Sequence, residues 1–450
     1  MILKRNNAAL VFGTVLGAVL AVAAFCGVPL AAQTAEQLLQ QAQAALEKKE
    51  YAEAAKALET YLAQNPQDFR AEFNLAYAYS LTDRRADAIR LYQNVLAREK
   101  ELVPAHLNLG ILLVEEGGAA EAVEHLRFVA DRQPNDFRAE FYLAEALTAT
   151  QRFPEAREAY ERALKLKPDD AAAHVASARL LAETDPAAAE GHLRAALQAE
   201  PSRDDALLLL ASVLERRASG GADTLAEAAE LYRRYLDAHP GRPESPESLK
   251  NNDLRVRLGQ IYATQKRYSE AIAQWEAARA AGDANRGLMR SLLDAYLQGS
   301  EPDKAKAPAL LDQMLLQDGN NTELRLLAGR LRMEKKQYPE AAEQFRRATE
   351  LRPDSAEGYT NLASALYLLQ DYEGTVAVLA RVAALGQDTA GTHFLRAISL
   401  DKLHRLEPAL ESYQRFLALD AGKNPNQEFQ ARQRIRILSN ELRRRGSRRR

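Results

Sequence analysis

The chain has 450 residues, 47% hydrophobic and 27% charged, a mix that can bury a core and excludes a disordered polymer. Only 22 Gly and 17 Pro exclude collagen-like and low-complexity classes, and 7% aromatics in an Ala- and Leu-rich chain favours helices over the roughly three ordinary domains suggested by length. The net charge of −2 excludes a polyanion binder as a whole, and the single cysteine, Cys26, excludes an internal disulfide or thiolate zinc site.

The N-terminus reads as an export signal over residues 1–32. Lys4 and Arg5 precede an uncharged stretch from Asn6 to Ala35, almost wholly apolar between Ala8 and Val28. Small residues follow at Ala31 and Ala32, the three-part pattern of a secretory signal peptide. The apolar run is also long enough to span a bilayer, so an uncleaved anchor through residues 8–28 stays open. Either way the basic residues lie before the run, which predicts the remainder on the outer side: periplasmic, or inner-membrane anchored and facing the periplasm.

Beyond residue 35 the sequence repeats itself. Asp68-Phe69-Arg70-Ala71-Glu72-Phe73-Asn74-Leu75-Ala76 returns as Asp136-Phe137-Arg138-Ala139-Glu140-Phe141-Tyr142-Leu143-Ala144, an offset of twice 34. Pro66, Pro134 and Pro168 lie on the same lattice, as do Ala54, Ala88, Ala122 and Ala156. Within each 34-residue unit, apolar or small residues at positions 7, 8 and 11 mark one helix face, and those at 20, 24 and 27 mark a second. The unit starting at Phe137 shows Leu143, Ala144, Leu147, Ala156, Tyr160 and Ala163 there, followed by Pro168; position 4 departs, with Glu140. This pattern resembles the tetratricopeptide repeat, a helix–turn–helix unit, in its bacterial exported or envelope type. The resemblance implies an all-α, right-handed superhelical α-solenoid of about eleven units with a C-terminal capping helix.

Units begin near Ala35, Phe69, Val103, Phe137, Ala171, Asp204, Asn252, Arg286, Thr322, Ala356 and Ala390. Units one to six fill 35–239 and units seven to eleven fill 252–421. The fifth is one residue short, with Ala189 as its small residue. The sixth carries an insertion around Ala218–Ala222. Pro308 blurs the register of the eighth, and Thr375 takes position 20 of the tenth. The Pro-rich stretch within 240–251 reads as a linker, or as a long loop on a continuous solenoid. Residues 426–450 read as a capping helix, with Phe429, Ile435, Leu438 and Leu442 covering the last repeat, and an Arg-rich tail.

Charge is uneven. Residues 33–429 hold 49 basic and 61 acidic residues, whereas 430–450 hold nine arginines and one acid, Glu441. Arg443, Arg444, Arg445, Arg448, Arg449 and Arg450 form a basic tail that reads as solvated chain, or as a contact for anionic lipid or an acidic partner. Nucleic acid is disfavoured, because no aromatic stacking pattern accompanies the arginines.

No catalytic motif is found. None of the seven histidines forms His-Glu-x-x-His, and no pair sits at ligand spacing on one helix. Nucleophile elbows and phosphate loops are missing as well. The expectation is a non-enzyme without cofactor or metal, with Trp275 at position 24 as core packing. The function expected is a protein–protein interaction scaffold of the bacterial cell envelope, akin to proteins that organise secretion, polysaccharide export or outer-membrane assembly. The alternative is a membrane-anchored adaptor whose tail contacts lipid.

The resemblance assigns positions 2, 5, 6 and 9 of first helices to a concave partner-binding groove. Those positions hold Arg70, Phe73, Asn74 and Tyr77; Leu107, Asn108 and Ile111; and Arg138, Phe141, Tyr142 and Glu145. Phe73 and Phe141 either line two similar pockets or pack between helices. The family's carboxylate-gripping groove needs Lys at position 5; Leu39, Phe73, Leu107 and Phe141 stand there, which does not support capture of chaperone tails.

Overall fold

The computed structural model describes residues 34–217, 221–240, 246–283 and 285–448. The export signal over 1–32 lies outside them. Among the described residues every regular element is a helix. Consecutive helices pack in antiparallel-style pairs, and within each of two compact units each pair packs on the next, the arrangement of an all-α solenoid. The chain divides into two compact units, Met1–Pro240 and Gly241–Arg450. In the first, buried apolar residues from Leu38 to Ala176 form one continuous core. No described helix is long and apolar enough to cross a membrane.

The starts and turns of these helices have local causes. Asp68, Asp136 and Asp170, one residue before three first helices, accept hydrogen bonds from the freed backbone N–H groups of Arg70, Arg138 and Ala173. The turn inside a pair is set at position 15. Lys49, Gly117, Gln151, Lys266, Lys336, Gln370 and His404 all adopt left-handed backbone there. The next N–H then reaches back to the carbonyl of position 11, as in Arg152 to Leu147 (2.8 Å) and Gly118 to Leu113 (2.7 Å). This hydrogen bond closes the first helix and aims the second against it.

The paired helices meet at small residues. Ala54, Ala88, Ala122, Ala156, Ala271, Ala341 and Ala409 at position 20 have no exposed surface. Thr375 is equally buried and satisfies its hydroxyl on the Asp371 carbonyl at 2.7 Å. Position 8 shrinks to glycine under a large position-24 ring. A Cβ on Gly259 would overlap Trp275, and one on Gly329 would overlap Phe345. Trp275 is a buried packing residue, and its indole N–H donates to the Val256 carbonyl at 3.0 Å. The acids at position 4 are compensated: buried Glu72 pairs with Arg98, and buried Glu140 pairs with Arg162 at 3.0 Å.

Several sequence expectations change. The helix Pro246–Thr264 begins inside the stretch read as linker, and Asn251 and Asn252 within it are buried. Pro308 stands in the first turn of Ala307–Gln317, where no N–H is needed. The terminal helix Pro425–Arg448 is continuous and carries Arg443–Arg445, so these arginines are not loose chain. It packs on the last pair through Ala431 and Leu438, with Ile435 and Leu442 partly buried. Arg434 grips Asp401 with two hydrogen bonds of 2.7 and 2.5 Å, and Tyr413 adds a third at 3.2 Å. Phe429 is 65% exposed and does not join this cover, because it lies on the opposite face of the helix.

Two predictions follow from this packing. Gly117→Ala meets no neighbouring atom, so it costs only the left-handed backbone penalty of about 1–2 kcal/mol, whereas Gly259→Leu inserts a side chain into the Trp275 contact and costs at least about 3 kcal/mol; denaturant midpoints measure both. Leu438→Ala removes a fully buried cap residue and costs about 2–5 kcal/mol, read as earlier amide exchange in the helix Leu406–Asp420.

Candidate functional site

The expected groove residues come from the helices Phe69–Ser80, Val103–Glu115 and Phe137–Ala149. The structure divides them by depth. At position 5, Phe73, Leu107 and Phe141 are 2%, 4% and 8% exposed, so they belong to the core and not to a partner-facing surface. For the two phenylalanines the cause is the aromatic at position 24 of the same unit; Leu126 stands there in the unit of Leu107. Phe73 meets Tyr92 edge-on at 5.6 Å, and Phe141 meets Tyr160 at 6.2 Å. The large position-5 ring turns onto the second helix instead of outward.

Positions 2, 6 and 9 retain reachable atoms. Arg70 is exposed, and Arg138, Asn74, Asn108, Tyr142, Tyr77, Ile111 and Glu145 are half-buried. Asn108 donates to the Tyr92 hydroxyl at 3.2 Å. Tyr77 packs edge-on to Tyr51 at 6.2 Å. The Asn74 side-chain oxygen is buried and finds no hydrogen-bond partner among the described residues. Tyr160 donates to Glu145; burial, then the Glu145 charge, pushes its phenol well above the usual range.

Two cavities flank the fourth unit. One of about 790 Å³ is walled by Glu145, Phe153, Arg157, Tyr160, Arg179 and Leu180. Its wall is mostly carbon, and Phe153 is half-exposed beside it. The other, of about 710 Å³, is lined by Arg132, Asp136, Phe137, Arg138 and Lys167. The Lys167 ammonium lies over the Phe137 ring, 4.3 Å from its centre. Arg138 and Glu145, seven residues apart on one helix, thus open onto different cavities. Of the basic tail, Arg443, Arg444 and Arg445 lie on the terminal helix, and Arg445 pairs with Glu441 at 3.1 Å. Arg449 and Arg450 lie outside the described residues, as does the side chain of Arg448.

The sequence reading missed a pairing of histidines, because it searched single helices. His106 and His125, on the two helices of the third unit, bring their Nδ1 atoms to 2.8 Å. His174 and His192 do the same in the fifth unit, at 3.0 Å. The signal was present: His106 and His174 stand 68 residues apart, on the repeat lattice. Burial, then the neighbouring His106 or His174, pushes His125 and His192 below the usual imidazole range. No group of three His, Cys, Asp or Glu side chains able to hold a metal occurs among the described residues.

Comparison with known proteins agrees with the architecture. A tetratricopeptide repeat family model matches residues 39–104, 107–171 and 176–243, and a second model of the same repeat matches 329–370. Cellulose synthase operon protein C of Xanthomonas axonopodis pv. citri (strain 306) is 29% identical over 255 residues, 55% of this chain. The matched part spans 16% of that relative's length. Among solved structures, PilF of Pseudomonas aeruginosa is 18% identical with a TM-score of 0.41, covering 50% of this chain and 97% of its own. MamA from Desulfovibrio magneticus RS-1 is 20% identical with a TM-score of 0.36, covering 38% and 97%. The repeat lattice, the paired helices and the matched family models together make this chain a protein-interaction scaffold belonging to the tetratricopeptide repeat family.

Proposed function

We propose that this chain is an exported, non-catalytic scaffold of the bacterial cell envelope that holds protein partners against its first helices. The observation that carries the reading is the duplicated first-helix segment at residues 68–76 and 136–144. Its position-5 aromatics are spent on the core, which leaves Arg70, Asn74 and Tyr77, and Arg138, Tyr142 and Glu145, as the reachable set. Arg and Tyr supply hot-spot contacts, and the half-buried Asn108 amide can hydrogen-bond an extended backbone. Export is supported by the basic–apolar–small pattern of residues 1–32 and by the thiol-free remainder. The cellulose synthase operon relative is consistent with an envelope polysaccharide-export role, although it is matched over a small part of its length.

A second reading has its own observation. The terminal helix Pro425–Arg448 exposes Phe429 (65%) and Ile437 (49%) on a face that also carries arginines. Such a basic amphipathic face suits the surface of an anionic membrane, which an anchor at residues 8–28 would bring near.

A photo-crosslinking side chain at Tyr77 or Tyr142 is expected to give discrete adducts in cells, while one at exposed Glu124 on a second helix gives none; the reverse pattern contradicts the groove. Tyr77→Ala with Tyr142→Ala should weaken partner capture by about tenfold or more without loss of helicity. Phe73→Ala is unsuitable as that test, because emptying a buried ring site costs about 3–5 kcal/mol of stability. For the second reading, Phe429→Ser with Ile437→Ser is expected to abolish flotation with anionic liposomes at physiological salt; unchanged flotation, or none by the parent chain, removes it.

A further inference from the structure

We propose that each histidine pair, His106–His125 and His174–His192, is a binding site for one divalent transition-metal ion of the imidazole-preferring class, Cu²⁺, Ni²⁺ or Zn²⁺. Hydrogen bonding fixes which nitrogens are available. His106 Nε2 lies 2.9 Å from the Lys100 carbonyl, and His174 Nε2 lies 2.9 Å from the Pro168 carbonyl. A carbonyl oxygen only accepts, so both Nε2 atoms carry hydrogen. In the neutral rings Nδ1 of His106 and His174 is then a bare lone pair, aimed at the partner ring. Without metal, His125 and His192 donate their Nδ1 hydrogens to it.

A metal takes the place of that shared hydrogen. The His125 hydrogen moves to Nε2, and two Nδ1 lone pairs then face one position. His125 Nε2 already has an acceptor nearby, Glu121 Oε1 at 3.8 Å. Each ligand ring of the third unit would thus hold its outer N–H on a carbonyl or carboxylate, the arrangement that orients metal-bound imidazoles. Two nitrogens about 2.0–2.1 Å from one tetrahedral ion stand about 3.3–3.4 Å apart. The observed 2.8 and 3.0 Å therefore need to open by only about half an ångström. The ring centres, 5.0 and 5.3 Å apart, already lie near the spacing that a shared ion requires.

With two protein donors, water completes the coordination. The site is exchangeable, unlike a closed four-ligand structural site. Imidazole nitrogen suits copper, nickel and zinc, and copper(II) binds most tightly of these. Occupancy ties the two helices of units three and five together without altering the others. The chain carries an internal control. His393 also stands at position 4 of its unit, but Ser412 occupies the place of His125, and the His393 Nδ1 finds no hydrogen-bond partner among the described residues.

The test is calorimetric titration of the tag-free, chelator-treated full chain with Cu²⁺, and separately Zn²⁺, at neutral pH, with copper EPR as the second readout. Two equivalents per chain with nitrogen coordination are expected. His106→Ala should leave one, His106→Ala with His174→Ala none, and His393→Ala two. His125→Asn with His192→Asn keeps a donor for the interhelix hydrogen bond but removes a ligand from each pair. It should stay fully helical by circular dichroism and lose both equivalents. Metal stoichiometry unchanged in that folded variant, or no binding by the parent chain, overturns the proposal and leaves the pairs as hydrogen bonds between helices.

Discussion

The close approach of two helices within each repeat is the constraint on which everything else rests. It requires a small residue at position 20 and a residue at position 8 sized against the side chain at 24. Ala122 and Ala156 have no exposed surface, and Gly259 and Gly329 lie directly under Trp275 and Phe345. Interiors this dense do not tolerate an added methylene without displacement. A single pair still leaves an apolar face uncovered, so pairs must stack, and the last needs the helix Pro425–Arg448 to close it.

The local devices serve that contact. The left-handed residue at position 15 sets the angle at which the second helix returns, and only Gly117 among the seven adopts it without a steric penalty. That lysine, glutamine and histidine are held there elsewhere indicates that packing outweighs the local cost. Ion pairs between neighbouring repeats, such as Arg85–Glu116 and Arg405–Glu373, are largely exposed and contribute little. Arg434–Asp401 differs, since the carboxylate is nearly enclosed and receives three hydrogen bonds.

What the sequence made legible is what repeats. The 34-residue spacing of Ala54, Ala88, Ala122 and Ala156 reports one physical requirement, met again in most units, and so exposes both the fold and the helix faces. Two features were not legible, and each depends on a distance between helices. Phe73 and Phe141 belong to the core because Tyr92 and Tyr160 attract them inward, a relation between positions 5 and 24. The histidine pairs join residues 19 and 18 apart, across a turn and not along one helix. Phe429 was legible but misplaced: it stands six residues before Ile435 and nine before Leu438, a spacing that already puts it on the opposite face of the cap.

The resulting surface is narrower than the repeat pattern suggests: a strip of positions 2, 6 and 9 above a buried aromatic layer, with two cavities at the fourth unit. Hydroxyl-radical footprinting of the chain in intact cells against the purified chain tests this most directly. The account predicts protection concentrated on Tyr77, Ile111, Tyr142 and their neighbours on first helices, with second-helix faces equally oxidised in both samples. Protection confined to second-helix faces, with Tyr77 and Tyr142 oxidised alike in both, would contradict it.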